Sequence, residues 1–62
     1  MTERELRNKI KLIKDRLTLA QLYKKEFIEK LSIKGYEEFI NNELEELKTY
    51  LKLLNELHHG ED

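Results

Sequence analysis

The sequence predicts an all-α fold, an antiparallel helical hairpin made of two long helices. Apolar residues recur at alternating steps of four and three in two stretches, which is the spacing of helices that pack along one face. The first stretch contains Leu6, Ile10, Ile13, Leu17, Ala20, Phe27 and Leu31, and the second contains Ile40, Leu44, Leu47, Leu51 and Leu54. Gly35 lies between them, and the chain has no proline. Two such stretches around one glycine predict a hairpin.

Local signals give the expected ends of the two helices. Thr2 and Glu5 fit a capping box, in which a hydroxyl accepts from the amide three residues on and a carboxylate reaches back to the cap. The first helix is therefore expected over about residues 3–32. The glycine suits a left-handed position just past a helix end, so the loop is expected at about residues 33–35. The second helix then covers about residues 36–58.

Size and composition indicate one small domain, residues 1–62, that gains stability from association. A single hairpin has no third layer, and apolar burial in so small a chain roughly cancels the conformational entropy lost on folding. Cysteine is absent, so disulfides add no stability. The longest run of apolar residues is two, and the first ten residues have no apolar signal-peptide core. A cytoplasmic protein that does not cross a membrane is expected.

Apolar residues extend beyond the packed face of each helix, toward the same side. With Leu6 at heptad position d and Ile10 at position a, the additional residues fall at positions c and g. They form what we call the apolar flank: Leu12, Leu19, Tyr23, Phe39, Tyr50, Leu53 and Leu57. A two-helix hairpin does not bury so wide an apolar arc, whereas two hairpins packed face to face do. The sequence therefore predicts self-association into a homodimeric four-helix bundle, with a monomeric hairpin as the alternative.

Charge is divided between the two halves of the chain. Residues 1–34 hold ten Lys or Arg against five Asp or Glu, and residues 35–62 hold two Lys against eight Asp or Glu. A basic helix beside an acidic one favours the antiparallel hairpin and orients a partner. Folding about the predicted loop sets Lys24, the one charged residue in the first packed face, opposite Glu43.

Four cations form a basic stripe along the first helix. They follow one another at steps of three, four and three residues: Arg4, Arg7, Lys11 and Lys14. Such a stripe is typical of helices that bind phosphates. In length, hairpin architecture and polar stripe the chain resembles the plasmid-encoded Rop proteins, which dimerise into four-helix bundles and bind paired RNA loops along their first helices. This resemblance, which carries over no individual Rop residue, implies the alternative function of a dimeric binder of structured RNA or DNA.

A second resemblance is confined to the second helix. The signature helix of the Spo0E-type aspartyl-phosphate phosphatases, which are also short helical hairpins, resembles residues 41–47, Asn-Asn-Glu-Leu-Glu-Glu-Leu, followed by Tyr50. Their signature carries a Ser before Gln-Glu-Leu and an Asp after it. This chain has Asn41 and Glu45 at those places, so the residue that carries the phosphatase chemistry is changed. A phosphatase is the third alternative.

No set of residues has the spacing of a catalytic, cofactor-binding or metal site. His58 and His59 are adjacent, so on a helix they point about 100° apart and do not chelate one ion together. Ser32 and the threonines have no histidine within reach, and the sequence has no glycine-rich phosphate loop. We therefore expect no enzymatic activity, no cofactor and no metal.

The leading functional hypothesis is a small regulator or adaptor that binds another protein, as an inhibitor or an assembly factor. Small size, the lack of a catalytic constellation and abundant helix surface motivate it. The residues expected to contact the partner lie on the exposed side of the second helix and near the loop. They form what we call the predicted partner surface: Tyr36, Glu38, Glu45, Glu46, Lys48 and Lys52.

Overall fold

The chain forms an all-helical hairpin whose two arms pack against each other, as the sequence predicts. The computed structural model describes the backbone of residues 2–60 and the side chains of residues 2–58. Helix α1 covers Glu3–Leu22, and helix α2 covers Lys24–Gly60 with non-helical backbone at Ser32. The chain reverses at Ser32. We call residues 3–31 the first arm and residues 33–60 the second arm of a hairpin that measures 47 × 16 × 14 Å.

The N-terminus of α1 carries the predicted cap. The Thr2 hydroxyl oxygen accepts from the Glu5 amide at 3.2 Å, and the same hydroxyl donates to Glu5 Oε1 at 3.2 Å. The carboxylates of Glu3 and Glu5 lie in the first turn, where the positive end of the helix dipole favours them. The first helix therefore begins where the sequence predicts.

The first arm is not the continuous helix that the sequence predicts over residues 3–32. Tyr23, with φ −110° and ψ 34°, interrupts the helical hydrogen-bond pattern between α1 and α2. The last carbonyl groups of a helix have no helical partner. Here the Ala20 carbonyl accepts from the Tyr36 hydroxyl at 3.1 Å, in a buried contact across the hairpin. A side chain of the second arm thus satisfies the backbone that the interruption leaves open.

The loop predicted at residues 33–35 is wrong, because only Ser32 is non-helical between the arms. Ser32 has φ 71° and ψ 168°, a backbone region that is almost exclusive to glycine. Its Oγ accepts from the Gly35 amide at 3.2 Å and so caps the second arm. Gly35 itself is helical and has no positive φ. A glycine suits this position because the Gly35 backbone lies close to the Leu31 side chain. A Cβ on residue 35 would be only 3.1 Å from Leu31 Cβ.

Two substitutions at Ser32 separate its cap from its strain. Ser32→Ala keeps the strained φ and loses the cap, so the free energy of unfolding is expected to fall by about 1 kcal/mol. Ser32→Gly loses the cap as well but relieves about 1–3 kcal/mol of backbone strain, so the free energy of unfolding is expected to rise. Urea unfolding followed by circular dichroism measures both. A glycine variant no more stable than the alanine variant contradicts the strained conformation.

The core between the arms uses a different face of the second helix from the one predicted. The first arm buries Leu6, Ile10, Ile13 and Ala20. The second arm packs through buried or half-buried residues at alternating steps of four and three, Tyr36, Ile40, Glu43, Leu47, Tyr50 and Leu54. Leu44 and Leu51, expected in the packed face, are exposed. The second helix is therefore rotated toward its g positions, where Tyr36 and Glu43 find polar partners on the first arm.

Aromatic side chains pack near the chain reversal at Ser32, which we call the corner of the hairpin. The Phe27 ring lies 5.6 Å from the Phe39 ring and 6.3 Å from the Tyr36 ring, edge to face with the latter. Lys24 Nζ lies 5.9 Å from the centre of the Tyr36 ring, so the predicted position of Lys24 opposite Glu43 is wrong. Arg16 takes that place instead.

Candidate functional site

One side of the hairpin carries the apolar flank. Its members Leu12, Leu19, Tyr23, Leu53 and Leu57 are each between 40% and 56% exposed, and Phe39 and Tyr50 are half-buried. Heptad positions c and g lie on the same side of the packed face in the first helix. In the second helix the packed face itself has moved to positions d and g, so Tyr50 belongs to the core and the exposed part of the flank is Leu53 and Leu57. Because the arms are antiparallel, these two sides meet on one side of the hairpin. The exposed members of the flank thus lie on one side of the hairpin, with the exposed Glu46 between Phe39 and Leu53 on the second arm.

A charged pair lies where the apolar flank meets the core. Arg16 Nη2 is 3.4 Å from Glu43 Oε2. Glu43 is only 9% exposed, and its Oε2 atom is buried without a hydrogen bond from the described residues. Arg16 follows Leu12 by four residues and precedes Leu19 by three, so it shares their side of α1. Sequence reasoning missed this pair, because the predicted packed face left out Glu43 and the predicted loop set Lys24 opposite it.

The opposite side of the hairpin carries most of the basic stripe. Arg7, Lys11 and Lys14 line a shallow groove with Leu51 and Leu54 of the second arm. Arg4 is exposed but does not line this groove. The structure therefore keeps three of the four stripe cations together, beside an exposed leucine.

An acidic residue partly neutralises the start of the stripe. Arg7 Nη2 donates to Glu3 Oε1 at 3.1 Å, and His58 Nε2 lies 2.7 Å from the same oxygen. The hydrogen bond from Arg7 is the main reason that the pKa of the Glu3 carboxyl lies below its ordinary value of 4.5, and His58 acts in the same direction. Because its pKa is lowered, the ionised Glu3 carboxylate adds to the stability of the fold. This stabilisation is fully present at pH values above the ordinary pKa and is lost as the pH falls through the lowered pKa.

The predicted partner surface is only partly exposed. Glu38, Glu45, Glu46, Lys48 and Lys52 are exposed, but the structure places Tyr36 in the core at 8% exposure. The hydroxyl of Tyr36 is occupied by the Ala20 carbonyl, so this side chain is held inside the hairpin.

The residues that replace the phosphatase signature line an open groove of the second arm. Asn41 and Glu45 lie there with Lys48 and Thr49. Within the described residues no three His, Asp or Glu side chains come together as a metal site. His59 lies outside the described side chains.

Comparison of the chain with protein-family models, with curated proteins and with solved structures gives no match. Along residues 2–60, neither helix combines the length and the apolar character needed to cross a membrane. The apolar flank, the charged pair beside it and the basic stripe are therefore the features from which a function can be inferred.

Proposed function

We propose that this chain is a small non-catalytic regulator or adaptor that acts through protein–protein contact and self-associates as a homodimeric four-helix bundle. The observation that carries the proposal is the exposure of the apolar flank on one side of the hairpin. Each arm covers only one side of the other, so the flank needs a further layer. A second copy supplies an identical, self-complementary apolar surface.

The total surface of the hairpin supports an interface of ordinary size. Its accessible area is 5243 Å² for a mass of 7.6 kDa. A compact monomer of that mass exposes about 4300 Å², which leaves an excess of about 900 Å². A standard interface buries about 800 Å² on each partner. The excess is thus close to what one copy contributes to a stable dimer.

A charge placed on the apolar flank should separate the copies. Leu19→Glu puts two carboxylates into the dimer interface, so we expect the association constant to fall more than tenfold. Leu22→Glu is the matched control, because Leu22 lies on the same helix, is 72% exposed and is not part of the flank. Size-exclusion chromatography with light scattering measures the mass of each variant. A wild-type chain that is fully helical and monomeric at micromolar concentration overturns the proposed dimer.

Contact with a different protein is proposed for the exposed members of the predicted partner surface. Glu38, Glu45 and Lys52 lie on the side of the second helix that faces away from the first arm. In the proposed dimer these residues stay accessible, because the copies meet through the apolar flank. A pull-down that compares the wild-type chain with Glu38→Lys/Glu45→Lys tests this role, with the dimeric state of the variant as the control.

A second candidate function is the binding of structured RNA or DNA along the basic stripe. The observation in its favour is that Arg7, Lys11 and Lys14 line one groove away from the apolar flank. Each phosphate contact releases counterions, so Arg7→Ala/Lys11→Ala is expected to reduce the slope of log affinity against log salt by nearly two. Lys30→Ala/Lys34→Ala removes the same charge near the chain reversal, away from the groove, and should leave the slope unchanged. A gel shift that shows no retardation of duplex or hairpin nucleic acid at low salt rules this function out.

A further inference from the structure

We infer that Arg16 and Glu43 form a charge layer at the middle of the dimer, in which each Arg16 also pairs with Glu43 of the second copy. This layer selects the bundle in which the first arm of one copy packs over the second arm of the other. The inference rests on the proposed self-association and adds to it the residues that specify how the copies are arranged.

Glu43 has bonding capacity that its own chain leaves unused. Its carboxylate is buried, the Arg16 guanidinium approaches only to 3.4 Å, and Oε2 accepts no hydrogen bond from the described residues. A buried carboxylate is costly unless several donors satisfy it. The Arg16 side chain is half-exposed and carries five N–H donors, more than one distant carboxylate uses. The pair is therefore incomplete within one hairpin. Arg16 is open to a further partner, and a second copy can reach Glu43 through the 11% of its side chain that stays accessible.

The position of the pair brings a second copy within reach. Arg16 lies near the middle of the first arm and Glu43 near the middle of the second. Arg16 stands between Leu12 and Leu19 on the apolar flank, and Glu43 lies between Phe39 and Tyr50 along the second arm. A copy that covers the flank therefore also covers the pair, at the centre of the interface rather than at its rim.

Symmetry decides which charges meet. Two hairpins packed face to face are related by a two-fold axis that lies in the interface, either along the helices or across them. An axis along the helices keeps every residue at the same height along the helix axis. Arg16 of one copy therefore lies over Glu43 of the other copy. An axis across the helices places first arm over first arm and brings Arg16 over Arg16 at mid-length. Like charges facing each other at a desolvated interface are unfavourable, so the pair selects the axis along the helices.

The division of charge along the chain favours the same arrangement. The first arm carries nine Lys or Arg and five Asp or Glu, and the second arm carries three Lys and six Glu. An axis along the helices sets each basic arm over the acidic arm of the partner copy. The alternative axis sets basic over basic and acidic over acidic, so both the central pair and the overall charge favour one topology.

Charge reversal at the two positions tests the inference. Arg16→Glu and Glu43→Arg are expected, each alone, to lower self-association at least tenfold, because each places four like charges in the central layer. Mixed in equal amounts, the two variants should form a heterodimer in which acidic and basic pairs face each other. Arg7→Glu and Glu45→Arg reverse charges outside the layer and serve as the matched control pair, with no preference for the heterodimer. Light scattering and circular dichroism of the mixtures provide the readout.

A distance measurement tests the topology without changing the pair. The chain has no cysteine, so Lys30→Cys places one spin label per copy near the corner of the hairpin. With the axis along the helices the two labels lie at the same end, within about 20 Å, two helix spacings. With the axis across the helices they lie at opposite ends, about 40 Å apart at 1.5 Å per residue. The short distance supports the inference, and the long one overturns it.

The outcomes separate this inference from the proposed function. If the mixture of Arg16→Glu and Glu43→Arg stays monomeric while Arg16→Glu/Glu43→Arg in one chain restores the dimer, the pair acts only within a chain. The charge layer is then overturned and the proposed self-association stands. If the wild-type chain itself is monomeric, the proposed homodimer is overturned, and the charge layer is overturned with it.

Discussion

Ile13→Asp is expected to unfold the chain. Ile13 is 1% exposed and lies at the centre of the contact between the arms, so the substitution removes apolar burial and leaves a carboxylate without a partner. We expect a loss of at least about 4 kcal/mol, the size found for buried unpaired charges. A chain of this length has about 3–9 kcal/mol of stability in total. Far-UV circular dichroism should therefore show loss of most of the helix at room temperature.

Leu22→Asp is the matched control for this prediction. It introduces the same carboxylate into the same helix, but Leu22 is 72% exposed and the charge stays in water. An acidic residue in the last turn of a helix costs about 0.3–1 kcal/mol through the helix dipole, so the variant should remain folded. If the two variants lose helix to the same extent, burial between the arms is not what holds the hairpin together.

The packed face of the second helix illustrates what heptad spacing alone leaves open. Ile40, Leu47 and Leu54 belong to two overlapping patterns of threes and fours. Leu44 and Leu51 complete one pattern, and apolarity favours it. Tyr36 and Glu43 take part in the other pattern, which the structure adopts because the Tyr36 hydroxyl bonds the Ala20 carbonyl and Glu43 pairs with Arg16. Those partners lie on the other arm, so the sequence of the second helix alone does not reveal them.

The corner shows how one glycine signal has two physical meanings. Gly35 predicts a left-handed position after a helix, whereas the structure uses it for close approach to Leu31 within the second arm. The positive φ falls instead on Ser32, in an extended conformation, and the Ser32 Oγ caps the helix that follows. A serine before a helix was a readable cap signal. Its positive φ was not readable, because serine is uncommon in that region.

The candidate site was only partly predictable, because part of it depends on contacts between the two arms. Helix periodicity predicts that Leu12 and Leu19 share one side of the first helix, and that they bind a second copy stays a prediction, whereas Tyr50 packs between the arms. The Arg16–Glu43 pair depends on where the chain reverses, and the misplaced loop assigned Lys24 to Glu43 instead. The interruption at Tyr23 has no local signal, since the hydroxyl that bonds the Ala20 carbonyl comes from Tyr36 on the second arm.

Tyr36→Ala is expected to have the second largest effect. The Tyr36 ring packs edge to face on Phe27, lies under the Lys24 ammonium and joins the core at 8% exposure. Its hydroxyl bonds the Ala20 carbonyl at the end of α1. Deleting a buried aromatic side chain costs about 3–5 kcal/mol, comparable with the total stability of a chain of this length. Thermal unfolding should show either a greatly lowered midpoint or no folded baseline.

Tyr36→Phe separates the hydroxyl from the ring. The phenylalanine ring keeps the contacts with Phe27 and Lys24, but the Ala20 carbonyl loses its buried donor, which costs about 1–3 kcal/mol. Because that carbonyl belongs to the last turn of α1, amide hydrogen exchange should accelerate first around Tyr23, before the rest of the first arm opens. A Tyr36→Phe variant as stable as the wild-type chain, with unchanged exchange around Tyr23, would show that the ring alone holds the corner. If exchange accelerates only around Tyr23, the Tyr36 hydroxyl is what stabilises the helix at its interruption.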